Sequence, residues 1–156
     1  MLDLTIPGRA DISATHLVLD INGTLTIDGE LLPGTAERIE LLKQHLTVVL
    51  VTADTCGTAR SVADSLGVEL TILRPENGGE QKLVLVRDLR PEMVIAIGNG
   101  QNDVLMIEAA ALGIAVLQSE GLAGAALARA DAVFASVNDA LDALLTPTRL
   151  VATLRQ

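Results

Sequence analysis

The sequence predicts an α/β fold with three layers, in which a parallel β-sheet is covered by helices on both faces. Short apolar runs, of the kind expected for strands buried on both faces, recur along the chain. Between them lie segments whose apolar residues return at helical spacing, and two of these segments, 58–67 and 101–113, end in glycine. Such alternation produces parallel strands joined by crossover helices, so the strand carboxyl ends meet at one edge of the sheet.

The predicted elements follow one another in a regular order. Residues 1–15 contain the weakly alternating LDLTI (2–6), which Pro7-Gly8 interrupts, and we expect a short hairpin there ahead of the core. The predicted strands are 17–21, 47–52, 68–73, 93–98, 114–118 and 132–136. The predicted helices are 35–46, 58–67, 78–89, 101–113, 122–130 and 137–145, with the tail 149–156 as a further helix. The absence of a linker or repeat in 156 residues predicts a single domain, 1–156.

The charge and composition of the chain narrow its function classes. A net charge of −9 disfavours binding to nucleic-acid phosphates or to an anionic membrane surface. The start of the chain lacks the pattern of a secretory signal, and no apolar run reaches the length of a membrane span. Cys56, the single cysteine, excludes an intramolecular disulfide, and we expect a small buried thiol there. These features predict a soluble, cytoplasmic protein.

Polar residues stand at three predicted strand ends. Asp20 lies at the end of the first core strand, Thr52 ends the second, and the Gly98-Asn99-Gly100 turn closes the strand at 93–98. In sheets of this kind ligands bind beyond the strand carboxyl ends. We therefore expect these three segments to converge on one crevice, which is the candidate site.

Asp20 opens the pattern DINGTLT (20–26). Gly23 allows backbone amides to approach an anion closely, and Thr24 can donate a hydrogen bond. A carboxylate beside an anion-binding turn is the arrangement of a nucleophile that attacks phosphorus. The alternative is structural: Asp20 caps a helix or pairs with Lys82, because an unpaired buried carboxylate is costly.

Three further segments suit a phosphate and a metal. The hydroxyl of Thr52 and the amide of Ala53 could bind a phosphate oxygen, although such a threonine can equally cap a helix. Lys82, one of two lysines in the chain, could neutralise phosphate and carboxylate, whereas a lone lysine on a helix is usually a solvated charge. The Gly-rich turn GNGQND (98–103) offers oxygen ligands, Asp103 among them, of the kind that Mg²⁺ prefers.

Taken in this order, DINGTLT, VTADT, Lys82 and GNGQND resemble the four motifs of the haloacid dehalogenase (HAD) superfamily of phosphatases and ATPases. The resemblance covers nearly the whole chain, and it is greatest to the phosphorylation domain of P-type ATPases and to small soluble P-type ATPase-like proteins. It implies a Rossmann-like HAD fold and a Mg²⁺-dependent phosphohydrolase or phosphotransferase.

The resemblance also implies a role for each site residue. Asp20 would be the nucleophile that becomes an aspartyl phosphate. The residues that would contact phosphate are Gly23, Thr24, Thr52, Ala53 and Lys82. Those that would hold Mg²⁺ are Asp20, Asn22 through its main-chain carbonyl, Asn99 and Asp103.

Two amides depart from the family's pattern. Where this chain has Asn22, HAD phosphatases carry an aspartate that serves as general acid and base, and an amide cannot transfer that proton. P-type ATPases also lack a carboxylate there and keep their aspartyl phosphate long enough to use it, so we expect slow dephosphorylation. Asn99 stands where the family usually has a metal-binding aspartate, which predicts weaker binding of Mg²⁺.

The spacing of the motifs leaves no room for a cap domain or an inserted nucleotide-binding domain. The interval from Asp20 to Thr52 fits one helix, and that from Thr52 to Lys82 fits a helix and a strand. An open crevice predicts either a homo-oligomer that covers the site or a large phosphorylated substrate, whose identity the sequence does not give. Two alternatives stay open: a catalytically impaired HAD-fold binding or regulatory module, and ATP hydrolysis in the P-type manner, which the missing nucleotide domain weakens.

Overall fold

A parallel sheet of six strands forms the centre of the molecule. The computed structural model describes residues 1–54 and 57–156, and it confirms the predicted α/β architecture. The strands are β1 (Leu2–Leu4), β2 (Ile12–Ala14), β3 (His16–Asp20), β4 (Thr26–Ile27), β5 (Glu30–Leu31), β6 (Thr47–Thr52), β7 (Glu69–Ile72), β8 (Val94–Gly98), β9 (Leu112–Val116) and β10 (Ala132–Phe134). The helices are α1 (Thr35–Leu42), α2 (Ala59–Leu66), α3 (Gly78–Asp88), α4 (Val104–Ala109), α5 (Gly124–Arg129), α6 (Val137–Leu145) and α7 (Pro147–Leu154). The predicted buried thiol of Cys56 lies outside the described residues.

The order of the strands in this sheet is β10-β9-β8-β3-β6-β7, and every neighbouring pair is parallel. Strand β3 therefore lies in the interior, with β6 and β7 on one side and β8, β9 and β10 on the other. The direction in which the chain winds reverses at β3. Crevices for ligands form at such reversal points, outside the carboxyl ends of the strands. Asp20, the last residue of β3, lies at this point.

Helices cover both faces of the sheet, so the core has two separate parts. Along β3, Leu17 and Leu19 pack into one hydrophobic cluster, which includes residues of α1, α2, α6 and α7. Val18, between them, points to the opposite face and packs with residues of α3, α4 and α5. This alternation follows from the two-residue repeat of a strand, and burial on both faces explains why the strand sequence is almost wholly apolar. Among the described residues, no helix has the length and apolarity that crossing a membrane would need.

Two short antiparallel hairpins accompany the main sheet. Strands β1 and β2 pair with Leu2 opposite Ala14, and they contribute buried side chains to the first cluster. The second hairpin, β4–β5, was not predicted from the sequence. Its turn is Asp28-Gly29, and both residues have positive φ, 52° and 82°. Asp-Gly is a strong signal for a two-residue hairpin turn, and the sequence therefore contained the information.

The predicted helix 101–113 is wrong in its second half. A 3₁₀ turn at Gln101–Asp103 leads into α4, which ends at Ala109, and Gly113 belongs to β9. Gly113 is therefore not a helix cap. It is required because the strand passes α4 closely: a Cβ on Gly113 would lie 2.1 Å from the carbonyl oxygen of Ile107. Gly67, by contrast, does cap α2, with φ of 60°.

We predict that Gly113→Ala destabilises the fold by about 3 kcal/mol, because the added methyl must displace a backbone carbonyl rather than a flexible side chain. The matched control is Gly124→Ala at the exposed start of α5, where a Cβ would meet no atom within 4 Å. That variant should be neutral or slightly stabilising. Urea unfolding of both variants measures the difference, and equal stabilities would contradict this account of Gly113.

Candidate active site

Lys82 is fully buried, with 0% of its surface exposed, and lies between two carboxylates. Its Nζ is 2.6 Å from Oδ1 of Asp20 and 2.5 Å from Oδ1 of Asp103. The lysine extends from α3 towards the sheet, whereas both aspartates come from the carboxyl-terminal edge of the sheet. A buried ammonium is costly unless it is paired and hydrogen-bonded, and these two contacts satisfy that requirement. The solvated charge that is usual for a helical lysine is therefore not what this chain has.

Asp103 organises the Gly-rich turn. Its Oδ2 accepts hydrogen bonds from the N–H groups of Asn99 (2.9 Å) and Gly100 (2.8 Å). The turn folds so closely around the carboxylate that a Cβ on Gly98 would lie 2.4 Å from Cγ of Asp103. With Oδ1 on Lys82 and Oδ2 on two amides, both oxygens of Asp103 are engaged.

Thr24 connects the Asp20 turn with the Gly-rich turn. Its Oγ1 is 3.3 Å from Oδ2 of Asp20 and 3.1 Å from Oδ1 of Asn99, so one hydroxyl proton serves two acceptors. The N–H of Thr24 donates to the carbonyl of Ile21 (3.1 Å), and that of Gly23 donates to Thr26 (2.9 Å). These two amides thus stabilise the turn itself, and the hydroxyl orients the carboxylate.

Burial and neighbouring charges shift the pKa values of Asp20 and Lys82. Burial, followed by the negative charge of Asp103, raises the pKa of Asp20 to about 7, despite the opposing effect of Lys82. Burial alone would lower the pKa of Lys82, but the two carboxylates outweigh it and hold that pKa above its ordinary value. Lys82 is therefore a fixed positive charge at physiological pH, and Asp20 is the group whose charge depends on its surroundings.

Thr52 lies at the carboxyl end of β6, beside β3, where Val51 is in register with Asp20. It is buried, and its Oγ1 accepts a hydrogen bond from the N–H of Asp54 (3.1 Å). Thr52 does not cap a helix, which was the alternative role considered for it, because the residue at the N-cap of α2 is Thr58. Within residues 1–54 and 57–156, this is the one hydrogen bond of the Thr52 hydroxyl, and in it the oxygen accepts, so the proton could be donated to a ligand at the sheet edge. Ala53, the next residue, is half-buried.

Two residues of the site were missed from the sequence, Gln118 and Glu120. The amide of Gln118 donates to the carbonyls of Gly23 (3.3 Å) and Thr24, and Glu120 accepts from the N–H of Asp28 (3.0 Å). The signal that could have revealed them is the one that revealed Asp20: they follow a strand of the same parallel sheet, at the same edge.

The oxygens at this edge fit a hard divalent cation. Asp20 would supply a carboxylate, Asn22 a main-chain carbonyl two residues later in the chain, and Asn99 an amide oxygen. Mg²⁺ is typically bound by one or two carboxylates, with water and phosphate completing its shell. Among the described residues there is no cluster of three or more His, Cys, Asp or Glu side chains that could hold a metal alone. The contacts of Asp103 hold Lys82 and the turn, and its predicted role as a metal ligand stays a prediction.

Comparison with known proteins gives a consistent assignment. Two models of haloacid dehalogenase-like hydrolases match the chain, over residues 4–111 and 79–145. The zinc-exporting P-type ATPase of Mycobacterium marinum is 37% identical over 139 residues, which are 84% of this chain and 18% of that protein. The chain thus spans about a fifth of the length of that relative.

Solved structures give the same result for the fold. The cobalt-bound deoxy-D-mannose-octulosonate 8-phosphate phosphatase of Haemophilus influenzae aligns with a TM-score of 0.72 at 16% identity, over 92% of this chain and 94% of that one. The 3-deoxy-D-manno-octulosonate 8-phosphate phosphatase of Moraxella catarrhalis, in complex with magnesium, phosphate and KDO, aligns with a TM-score of 0.68 at 16% identity, over 91% and 94%. At these identities the likeness is one of fold.

We predict that Lys82→Met lowers the free energy of unfolding of the metal-free protein by about 3–5 kcal/mol at pH 8, because it leaves two buried carboxylates without their cation. The deficit should shrink at pH 5. A carboxyl group whose pKa is higher in the folded than in the unfolded state stabilises the fold at low pH, and this stability is lost as the pH rises through the folded-state pKa. The pKa of Asp20 is about 7 in the wild type, and it should rise further when the lysine is removed. At pH 5 the Asp20 of the variant is therefore protonated and no longer an unpaired charge.

The matched control for this prediction is Lys43→Met, which removes the other lysine. Lys43 is partly exposed and pairs with the exposed Glu40. Its loss should change stability by less than about 1 kcal/mol at either pH. Chemical denaturation at the two pH values measures both variants, and a deficit for Lys82→Met that does not depend on pH would contradict the charge-based explanation.

Proposed function

The chain belongs to the haloacid dehalogenase-like hydrolases, and on that premise we propose that it transfers phosphoryl groups through an aspartyl phosphate on Asp20, with Mg²⁺ as cofactor. One observation carries the proposal. Asp20 stands at the point where the winding of the sheet reverses, and Lys82, fully buried, lies 2.6 Å from it. Burying a lysine between two carboxylates costs desolvation free energy. Phosphoryl transfer would use this arrangement, because a fixed positive charge stabilises the negative charge of the transferred group.

In the first step an oxygen of Asp20 attacks phosphorus. An oxygen–phosphorus bond forms, and the bond from phosphorus to the leaving oxygen breaks, so the leaving group departs with the electron pair. Lys82 holds a positive charge against Asp20 and would oppose the negative charge that gathers on the phosphoryl oxygens. The hydroxyl of Thr24 orients the carboxylate through Oδ2, and the hydroxyl of Thr52 would donate to a phosphoryl oxygen.

Mg²⁺, when bound, would offset the charge of the phosphoryl group and help to hold it in place. The ion would be held by Asp20, the carbonyl of Asn22, the amide oxygen of Asn99 and Asp103, and Asp103 would also keep the turn that carries Asn99 in position. Because Asn99 supplies an uncharged oxygen where a carboxylate would be usual, this donor set predicts modest affinity for the free ion.

Asn22 determines which steps are slow. A carboxylic acid at this position could protonate the leaving group and then activate water, and the amide can do neither. The leaving group must therefore depart as an anion without help, and the aspartyl phosphate must react with water without a base from this residue. Phosphorylation should accordingly depend strongly on the leaving group, and the intermediate should persist.

The second candidate is a binding or regulatory module of the same fold with impaired catalysis. The two amides, Asn22 and Asn99, favour it, since each lacks a charge that rapid turnover would use. The buried arrangement of Asp20, Lys82 and Asp103 favours the enzyme, because a module that only binds has no need of a nucleophile paired in this way.

We predict that Asp20→Asn abolishes Mg²⁺-dependent release of phosphate from an aryl phosphate, because the amide cannot attack phosphorus. The matched control is Asp28→Asn, which makes the same change at the exposed turn of the β4–β5 hairpin and should retain activity. Phosphate release with and without Mg²⁺, together with thermal unfolding of each variant, provides the test. Activity that survives in a folded Asp20→Asn variant would exclude this nucleophile, and inactivity of the wild type would favour the binding module.

We further predict that the wild type phosphorylates itself far faster from aryl or acyl phosphates than from alkyl phosphates, whose leaving groups need a proton. Asn22→Asp should reduce this difference and speed dephosphorylation by about 10²–10⁴-fold. The rates of appearance and decay of the phosphoenzyme, followed for a series of leaving groups, measure both effects. Equal dependence on the leaving group in the two proteins would mean that another residue supplies the proton.

A further inference from the structure

The loop that joins β9 to α5, residues 117–123, fastens two parts of the site together. The side-chain N–H of Asn99 donates to the carbonyl of Gly121 (3.1 Å), and the N–H of Ala123 donates to the carbonyl of Asn99 (2.8 Å). The carboxylate of Glu120 accepts from the N–H of Asp28 in the β4–β5 hairpin (3.0 Å). This β9–α5 loop therefore contacts the Gly-rich turn on one side and the Asp20 segment on the other.

Gln118 makes the most direct of these contacts. Its side-chain N–H₂ donates to the carbonyl of Thr24 and to that of Gly23 (3.3 Å), and its Oε1 accepts from the N–H of Val137 at the start of α6 (3.4 Å). Its backbone has φ of 37°, in the left-handed region that a residue with a side chain seldom occupies. Such a conformation costs about 1–3 kcal/mol and persists where surrounding contacts hold it, as the side-chain amide does here.

The contact reaches Asp20 through a single residue. Thr24 is fixed at its carbonyl by Gln118 and at its N–H by Ile21, and its hydroxyl lies 3.3 Å from Oδ2 of Asp20. With the backbone held at both groups, the hydroxyl has a defined position against the carboxylate. Releasing the carbonyl would let the turn move and the carboxylate rotate.

We propose that Gln118 is a positioning residue for phosphoryl transfer, which orients the carboxylate of Asp20 by holding the carbonyl of Thr24; this inference rests on the proposed function of Asp20. Attack on phosphorus needs the nucleophile in line with the leaving group, and a misplacement of about 1 Å can cost about 10²-fold in rate. Gln118 makes no contact with the reacting atoms, and its effect passes through Thr24.

The test compares two replacements that remove the donor in different ways. Gln118→Met keeps the length of the side chain without a charge, and Gln118→Glu keeps its shape but turns an oxygen towards the two carbonyls. Gln44→Glu, at an exposed site remote from the sheet edge, is the control for the added charge. With saturating aryl phosphate and Mg²⁺, the rate constant for phosphorylation of Asp20, measured in the first turnover before the aspartyl phosphate hydrolyses, should fall about 10–100-fold in both Gln118 variants, whereas the control keeps the wild-type value.

A double-mutant cycle tests whether the effect of Gln118 on Asp20 passes through Thr24. Thr24→Val removes the hydroxyl, so Gln118→Met should have little further effect on the rate constant for phosphorylation in that background. Additive losses would overturn the route through Thr24. A rate constant for phosphorylation at saturating substrate that is unchanged in both Gln118 variants would overturn the positioning role.

A readout without turnover separates this inference from the proposed function. The side-chain carboxyl carbon of Asp20, observed by NMR, should shift in Gln118→Met but not in Gln44→Glu, and the amides of Thr24 and Leu25 should exchange faster. If the wild type transfers no phosphoryl group, the proposed function fails, and these signals still decide whether Gln118 positions Asp20. An unchanged carboxyl signal in Gln118→Met would overturn the inference in either case.

Discussion

The burial of Lys82 between Asp20 and Asp103 is the constraint on which the rest of the site depends. An ammonium with no exposed surface requires a charged partner and hydrogen-bond acceptors, and here two carboxylates from separate strand ends meet this requirement. Parallel strands meet this demand because their carboxyl ends lie side by side. The helix that carries the lysine must then pack with this residue facing the sheet edge, and α3 does so while burying Val86 against the same face.

The remaining parts of the site adapt to this charge cluster. Asp103 can reach Lys82 only if the Gly-rich turn wraps around its carboxylate, which excludes a side chain on Gly98. Thr24 then bridges the turn and Asp20, and Gln118 holds Thr24 from the side of the β9–α5 loop. Each tie is a weak hydrogen bond, but the bonds share residues, and a connected polar network is more rigid than its separate pairs. A rigid carboxylate is what in-line attack on phosphorus requires.

Much of this could be predicted from the sequence, and the failures have physical reasons. The core strands were recognisable because burial on both faces makes them apolar. Asp20 was recognisable because a charged residue at the end of a buried strand needs a partner or a ligand to offset its burial. Gln118 was not, since a glutamine after a strand has no residue-type signal and its role depends on which carbonyls the fold brings near. The helix predicted up to Gly113 failed because the glycine relieves a close approach to Ile107 that only the tertiary structure creates.

The two amides have different consequences for the charge of the site. When both carboxyl groups are ionised, two carboxylates and one ammonium leave one net negative charge around Asp20. An aspartate in place of Asn99 would add a second negative charge and would also turn an acceptor towards the carbonyl of Gly121, where the amide now donates. Asn99 thus lacks the negative charge that an aspartate would offer to a metal, but its side-chain N–H forms a hydrogen bond to the β9–α5 loop. At Asn22, the amide stands where a carboxylic acid could donate and accept a proton beside Asp20. Under the proposed function, the first amide would support the geometry for forming an aspartyl phosphate and the second would delay its hydrolysis, so the site as a whole would favour holding a phosphoryl group over releasing it.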